Sequence, residues 1–249
     1  PLGSPFVFAS PHSGRRYPAE LLRMSRLDRH GLRQSEDCYV DLLFDEAPSI
    51  GAPFLRALFP RAFVDVNRSR HELDPRMFAD SLPRSVDARS NRVMAGLGVI
   101  PRIVADGKDI YGKKLNYFEA RQRLSLCYDP YHQALSELLD RARRRFGCAV
   151  LIDCHSMPSA GVAPIRDGDR RIDFVLGDRF GASCAPGLVS LVEMSLAGMG
   201  YAVSRNAPYA GGLFLGDYMG LAGKGKTVQP LYGIADRFDE SSLFVRAIG

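Results

Sequence analysis

The sequence predicts an α/β protein, a single domain with a mixed or parallel sheet flanked by helices. Short apolar runs alternate along the chain with amphipathic stretches, the order expected where strands and helices take turns. The 249 residues, 46% hydrophobic and 24% charged, suffice for one substantial core in an ordinary globular protein. No internal repeat, low-complexity segment or interdomain linker divides residues 1–249.

Local pattern gives the elements. "FVFASPHSG" (6–14) reads as a short buried strand closing in a Pro–His–Ser–Gly turn. Residues 28–47, with Leu32, Tyr39, Val40, Leu42, Leu43 and Phe44, read as one helix led by polar residues. "PFLRALF" (53–59) and "AFVDVN" (62–67) read as strands, the second by its alternation. Residues 68–97 hold Arg, Asp, Ser and Pro without a period, and a loop that long in a compact domain tends to be functional or mobile. "GVIPRIV" (98–104) reads as a strand. Residues 116–147 read as helical, restarting with Asp129 as N-cap and Pro130 at the first position, and stopping at Gly147. "CAVLIDCHS" (148–156) and "DFVLGD" (173–178) read as strands, and 185–199 as a helix. "YAVSRN" (201–206), "GLFLGDY" (212–218) and "KTVQPLYGI" (226–234) complete the strands.

Composition excludes several classes. No apolar run approaches the roughly 20 residues that cross a bilayer. "PLGSPFVFAS" has no basic stretch ahead of an apolar one, so a secretory signal is not expected. Residues 1–5 read as native chain or as the remnant of a cleaved tag. The net charge of +5 is spread along the chain. Its densest run, "RARRRFG" (141–147), suits a helix C-terminus better than nucleic acid, and no nucleic-acid module appears. The excess fits a solvated surface or a site for small anions. Five cysteines, an odd number without a CxxC pair, point to reduced thiols and a cytoplasmic setting. The sequence is silent on oligomeric state.

The chemistry concentrates at strand ends. In "VLIDCHSMPS" (150–159) a core strand runs into Asp153, Cys154, His155 and Ser156, and His12 stands just after "FVFASP". Functional groups of α/β sheets collect beyond the carboxyl ends of strands. A single histidine there is more often a structural residue; two in equivalent positions favour a site. Imidazoles suit zinc, and a catalytic zinc takes three protein ligands and leaves one position open. Glu36, Asp37 and Asp41 in "SEDCYVDLLF" are the candidates for the third, with Asp37 and Asp41 on one helix face. The alternative is that these acids complement the helix N-terminus. His30, His71 and His132 look dispensable as ligands. "PRAFVDVNRSRHELDP" (60–75) carries Arg61 and the pair Asn67–Arg68. An arginine beside a scissile carbonyl stabilises the developing oxyanion, and the Arg fork matches carboxylate. The alternative is that these arginines pair with Asp65, Glu72 or Asp74.

"SPHSGRRYP", "EDCYVDLLF", "DVNR", "DPYHQAL", "LIDCHSMP", "GASCAP" and "GGLFLGDY" stand in the order seen in N-formylglutamate amidohydrolases. The chain resembles that family from about residue 6 to about residue 240. The resemblance implies a phosphorylase/hydrolase-like fold of the zinc-carboxypeptidase type, related to aspartoacylase. It implies hydrolysis of N-formyl-L-glutamate to formate and glutamate in histidine breakdown. It also implies one zinc ion, or another divalent metal, on His12, Asp37 and His155. Arg61 resembles the arginine that polarises the carbonyl, and Asn67 and Arg68 the pair that holds the substrate α-carboxylate. Asp153 and Cys154 then become supporting and packing groups, and the implied partner is a small anionic N-acyl amino acid.

The chain departs from the family near its C-terminus. Members carry a glutamate two residues beyond a glutamine as general base; here Gln229 is followed by Pro230 and Leu231. Where the family shows Thr-Arg-His-Tyr, Leu215, Gly216, Asp217 and Tyr218 stand. Asp217, Asp236 and Glu240 are the replacement candidates for the base. Otherwise the chain acts on a different N-acyl amino acid, or binds metal with weak or no hydrolase activity.

Overall fold

The computed structural model describes residues 2–158 and 172–211, together with the backbone of 228–235. In chain order the elements are β1 (Phe6–Ser10), α1 (Ala19–Met24), α2 (Arg29–Arg33), α3 (Val40–Leu43) and β2 (Phe54–Arg56). Then follow α4 (Asn91–Met94), α5 (Tyr117–Arg123), α6 (Asp129–Phe146), β3 (Ala149–Ser156), β4 (Phe174–Gly177), α7 (Pro186–Gly198), β5 (Val203–Arg205) and β6 (Val228–Ala235). The chain forms two compact units, Pro1–Ser10 with Asp37–Leu55 and Glu137–Gly249, and Pro11–Glu36 with Arg56–Ser136.

The first unit holds a six-stranded sheet in the order β2-β1-β3-β6-β4-β5. β1, β3 and β6 run parallel, β4 opposes β6, and β5 is parallel to β4. The sheet is therefore mixed, as expected. β3 is buried along nearly its whole length, which explains its unbroken apolar start: a strand covered on both faces does not alternate. Its polar residues are confined to the carboxyl end. α7 packs Val189 against Leu176 and Cys184 over the sheet. Gly147, at φ 75°, ends α6 with its amide bonded to the Arg143 carbonyl, the left-handed helix stop read from the sequence.

The second unit contains no ladder of its own among the described residues. Isolated bridges such as Ser25↔Tyr111 and Phe78↔Leu115 tie its turns together. The buried Arg123 guanidinium lies 4.5 Å from the Phe63 ring centroid and donates to Tyr111 Oη at 2.7 Å.

Four expectations are corrected. The helix of 28–47 is two short ones, α2 and α3, separated by Tyr39 at φ 63°. Between Leu32 and Tyr39 no aliphatic side chain is available to hold a continuous helix on the core. "AFVDVN" is a turn, and "GVIPRIV" contributes one isolated bridge, Ile103↔Asp109. The stretch 116–147 does not restart at a cap. Asp129 is itself helical, and a π turn, Leu124–Tyr128, joins α5 to α6. Pro130 has no amide to offer the carbonyl four residues back and its ring crowds it, so the wider turn relieves that conflict.

Candidate metal and substrate site

Both histidines emerge from strand ends, and each is braced by a buried aspartate. His155 lies two residues after Asp153 on β3, so the two side chains share a face. His155 Nε2 is 3.0 Å from Asp153 Oδ1, and Nδ1 is 2.8 Å from Asp37 Oδ2. Burial alone would depress the His155 pKa, but Asp153 and Asp37 outweigh it and lift the pKa to about 9. Two carboxylates around one buried imidazole thus call for positive charge. Cys154, on the other face, is a packing residue; burial, then Asp153, pushes its thiol pKa well above the ordinary value.

His12 sits in the turn after β1, which Gly14 allows to lie against the next segment. A Cβ at Gly14 would stand 2.1 Å from the Phe59 carbonyl oxygen, so no side chain fits there. His12 Nε2 is 2.8 Å from Asp65 Oδ1. Asp65 is the hub of this half of the site. Its Oδ1 also accepts from the Asn67 amide at 2.9 Å, its Oδ2 accepts from Arg61 Nε at 2.8 Å, and Arg68 Nε stands 3.7 Å away. Burial would raise the Asp65 pKa, but Arg61, Arg68 and His12 hold the carboxyl well below its usual range. Arg68 donates through Nη1 to the Asn67 carbonyl at 2.7 Å and through Nε to the Leu97 carbonyl at 3.1 Å. Arg61 and Arg68 therefore do pair with Asp65, as the alternative reading held. That pairing also fixes the guanidiniums in direction.

Ligand atoms of His12, Asp37 and His155, all buried, lie within 4.8 Å of one another. Donors at about 2.0–2.1 Å around a tetrahedral ion stand roughly 3.3 Å apart. Two imidazoles and one carboxylate, each imidazole steadied at Nε2 by a further carboxylate, are a donor set that can hold a metal ion. Asp37 is not on a helix face with Asp41; it precedes Tyr39 and α3. Asp217 and Asp236 lie outside the described residues, as does Glu240. The β6 backbone puts Leu231 in register with Ile152, three residues before His155 on β3.

Sequence reasoning missed the part Asp65 plays toward His12. The local signal, Asp-x-Asn, in which a carboxylate accepts the amide two residues on and closes a turn, marks the turn and not its contact with His12.

The chain matches the N-formylglutamate amidohydrolase (FGase) family over residues 4–227. It belongs to that family. An N-formylglutamate deformylase of Pseudomonas aeruginosa is 31% identical over 212 residues, 84% of this chain and 72% of that protein. One of Pseudomonas putida is 30% identical over 217 residues, with the same shares covered. The crystal structure of an N-formylglutamate amidohydrolase from Ralstonia eutropha JMP134 aligns with a TM-score of 0.84 at 36% identity, over 95% of this chain and 83% of that one. The mixed α/β sheet is thus the fold of an N-formylglutamate amidohydrolase. Among the described residues no helix is long and apolar enough to cross a membrane.

Proposed function

We propose that this N-formylglutamate amidohydrolase family member is a zinc-dependent hydrolase that cleaves N-formylglutamate to formate and glutamate, a step of histidine breakdown in the cytoplasm. The observation that carries the reading is the buried His12–Asp37–His155 donor set. Zinc held there would polarise the formyl carbonyl and lower the pKa of a water toward about 7. Asp65 and Asp153 brace the two rings at Nε2, which orients both imidazoles for a metal. Arg61, held through Nε by Asp65, stabilises negative charge on the carbonyl oxygen. Asn67 and Arg68 bind the α-carboxylate, which sets the formyl group in place. The departing amine needs a proton, and we assign that duty to Asp236 or Asp217. A small anionic amino-acid derivative is the partner that Arg61, Arg68 and a bound metal would suit; nucleic acid is not.

Leu231, where the family resemblance implies a glutamate, favours a second reading: slow turnover, or a different N-acyl amino acid. General acid–base catalysis is worth about 100- to 10,000-fold, so its absence would slow hydrolysis without removing the metal chemistry. Released amine is measured from zinc-loaded protein given N-formylglutamate and a panel of other N-acyl amino acids. N-formylglutamate is expected to turn over fastest, and a better N-acetyl or N-succinyl substrate would replace the first reading by the second. Asp236→Asn and Asp217→Asn, assayed singly, identify the proton donor by which one lowers kcat.

A further inference from the structure

We infer that His132 and Tyr128 are positioning residues that hold the Asn67–Arg68 substrate anchor by its backbone. This inference rests on the proposed role of Asn67 and Arg68.

The argument begins with a hydrogen-bond deficit. Phe63, Val64, Asp65, Val66 and Asn67 are all buried, yet they form a turn and no strand. A buried turn has no ladder partner to satisfy its carbonyls, and buried carbonyls need donors. The amides of the segment have acceptors: Phe63 bonds the Pro60 carbonyl and Asn67 the Asp65 side chain, while Asp65 reaches the distant Val99 carbonyl. The Asn67 carbonyl receives Arg68 Nη1. The carbonyls on either side of Asn67 are served from outside the segment. His132 Nε2 donates to the Val66 carbonyl at 2.9 Å, and Tyr128 Oη donates to the Arg68 carbonyl at 3.0 Å.

Both donors come from one helical stretch, four residues apart, and therefore share a face. Their rings lie against each other with centroids 4.2 Å apart, and Tyr131 meets the imidazole edge-on at 5.9 Å. Tyr128 closes the π turn and His132 stands in the first turns of α6. The irregular turn thus sets the phenol beside the imidazole. A carbonyl only accepts, so Nε2 carries the proton. Burial lowers the His132 pKa, which keeps the ring neutral. The two bonds fix the peptide units flanking Asn67, and hence the directions in which Asn67 and Arg68 reach for a carboxylate.

The test replaces the donor and then restores it. His132→Leu removes the Nε2 proton, and His132→Gln puts an amide N–H near the same place. For N-formylglutamate, His132→Leu is expected to raise KM about 10-fold with kcat within about 3-fold, because ground- and transition-state binding are lost together. His132→Gln should recover most of that loss, and Tyr128→Phe should raise KM about 3-fold. 4-Formamidobutanoate keeps the formamide and side-chain carboxylate but lacks the α-carboxylate, so its turnover should be equal in wild type and His132→Leu. Zinc content should be unchanged in all variants. Equal losses on both substrates, or a fall in kcat alone, would overturn the inference and leave His132 a residue of general packing. Should the wild type not hydrolyse N-formylglutamate, the proposed function fails on its own, and calorimetric binding of glutamate decides the inference. Weaker binding in His132→Leu that His132→Gln restores supports it; equal affinity in all three proteins, including none, overturns it.

Discussion

Two imidazoles in this protein are braced by buried aspartates, and the two pairs are built by different means. On β3, Asp153 and His155 are neighbours on one face of a strand whose backbone is satisfied by β1 and β6. By contrast, His12 and Asp65 are 53 residues apart and meet on irregular backbone. There Asp65 also holds the Asn67 amide and Arg61, while side chains from the α6 region hold adjacent carbonyls. A ladder frees side chains for chemistry. A buried turn must spend side chains on its own amides, so each polar residue there has two tasks and each substitution reaches further.

The largest effect should come from a ligand itself. His155→Ala is expected to lose the metal, measured by elemental analysis of the purified protein. Activity should fall by more than the roughly 10- to 100-fold typical of removing an outer partner. Retained turnover would remove His155 from the metal site. The comparison is then broken from each side in turn. Asp153→Ala should weaken metal affinity about 10- to 100-fold. Asp65→Ala should do the same and also destabilise the fold by about 3–5 kcal/mol, since it leaves two arginines without their buried counter-ion. Denaturant melts and zinc titrations of the two variants, run side by side, test this. Equal stability in both would mean that Asp65 is no more a structural hub than Asp153.

Asp74 separates the arginine task from the imidazole task. It is buried, holds Arg76 through Nε and Nη2 at 2.8 and 2.7 Å and Arg102 through Nε at 3.2 Å, and no histidine is among these partners. Burial would raise its pKa, but the Arg76 and Arg102 bonds bring it below the ordinary value. Asp74→Asn should cost about 1.5–3 kcal/mol at neutral pH. A depressed folded pKa contributes stability above the unfolded value, about 3.9, and loses it as pH falls through the folded value. The gap between wild type and variant should therefore close below about pH 4, while at neutral pH the two proteins bind zinc equally. A gap constant down to pH 2 would contradict the assignment.

What was legible in the sequence follows the same division. β1, β3, β4 and α7 were readable because periodicity and turn residues decide them, and His12, Asp37 and His155 do converge. "AFVDVN" deceived because alternation of Val64 and Val66 with Asp65 and Asn67 is also what a turn gives when a polar side chain such as Asp65 faces internal partners. Asp129–Pro130 deceived because the cost of a proline inside a helix was met by a π turn. The part of Asp65 toward His12 was hidden because contacts between distant residues leave no local period. His132 was set aside as a ligand, and it bonds a carbonyl instead.

Two glycines give the smallest and sharpest comparison. Gly14 follows His12, and its Cβ would strike the Phe59 backbone at 2.1 Å. Backbone cannot swing aside as a side chain end can, so Gly14→Ala must push the His12 turn outward. The expected cost is about 1–3 kcal/mol by overpacking, with weaker zinc binding because His12 moves relative to Asp65. Gly147 precedes β3 at φ 75°, where an added Cβ meets nothing within 4 Å. Its penalty is conformational only, about 1–2 kcal/mol for a left-handed alanine, and the β3 ladder absorbs none of it at His155. Gly147→Ala should therefore lower the melting temperature while zinc affinity stays at the wild-type value. If zinc affinity fell as far in Gly147→Ala as in Gly14→Ala, the strand would be no better insulated than the turn, and the distinction between the two halves of the site would not hold.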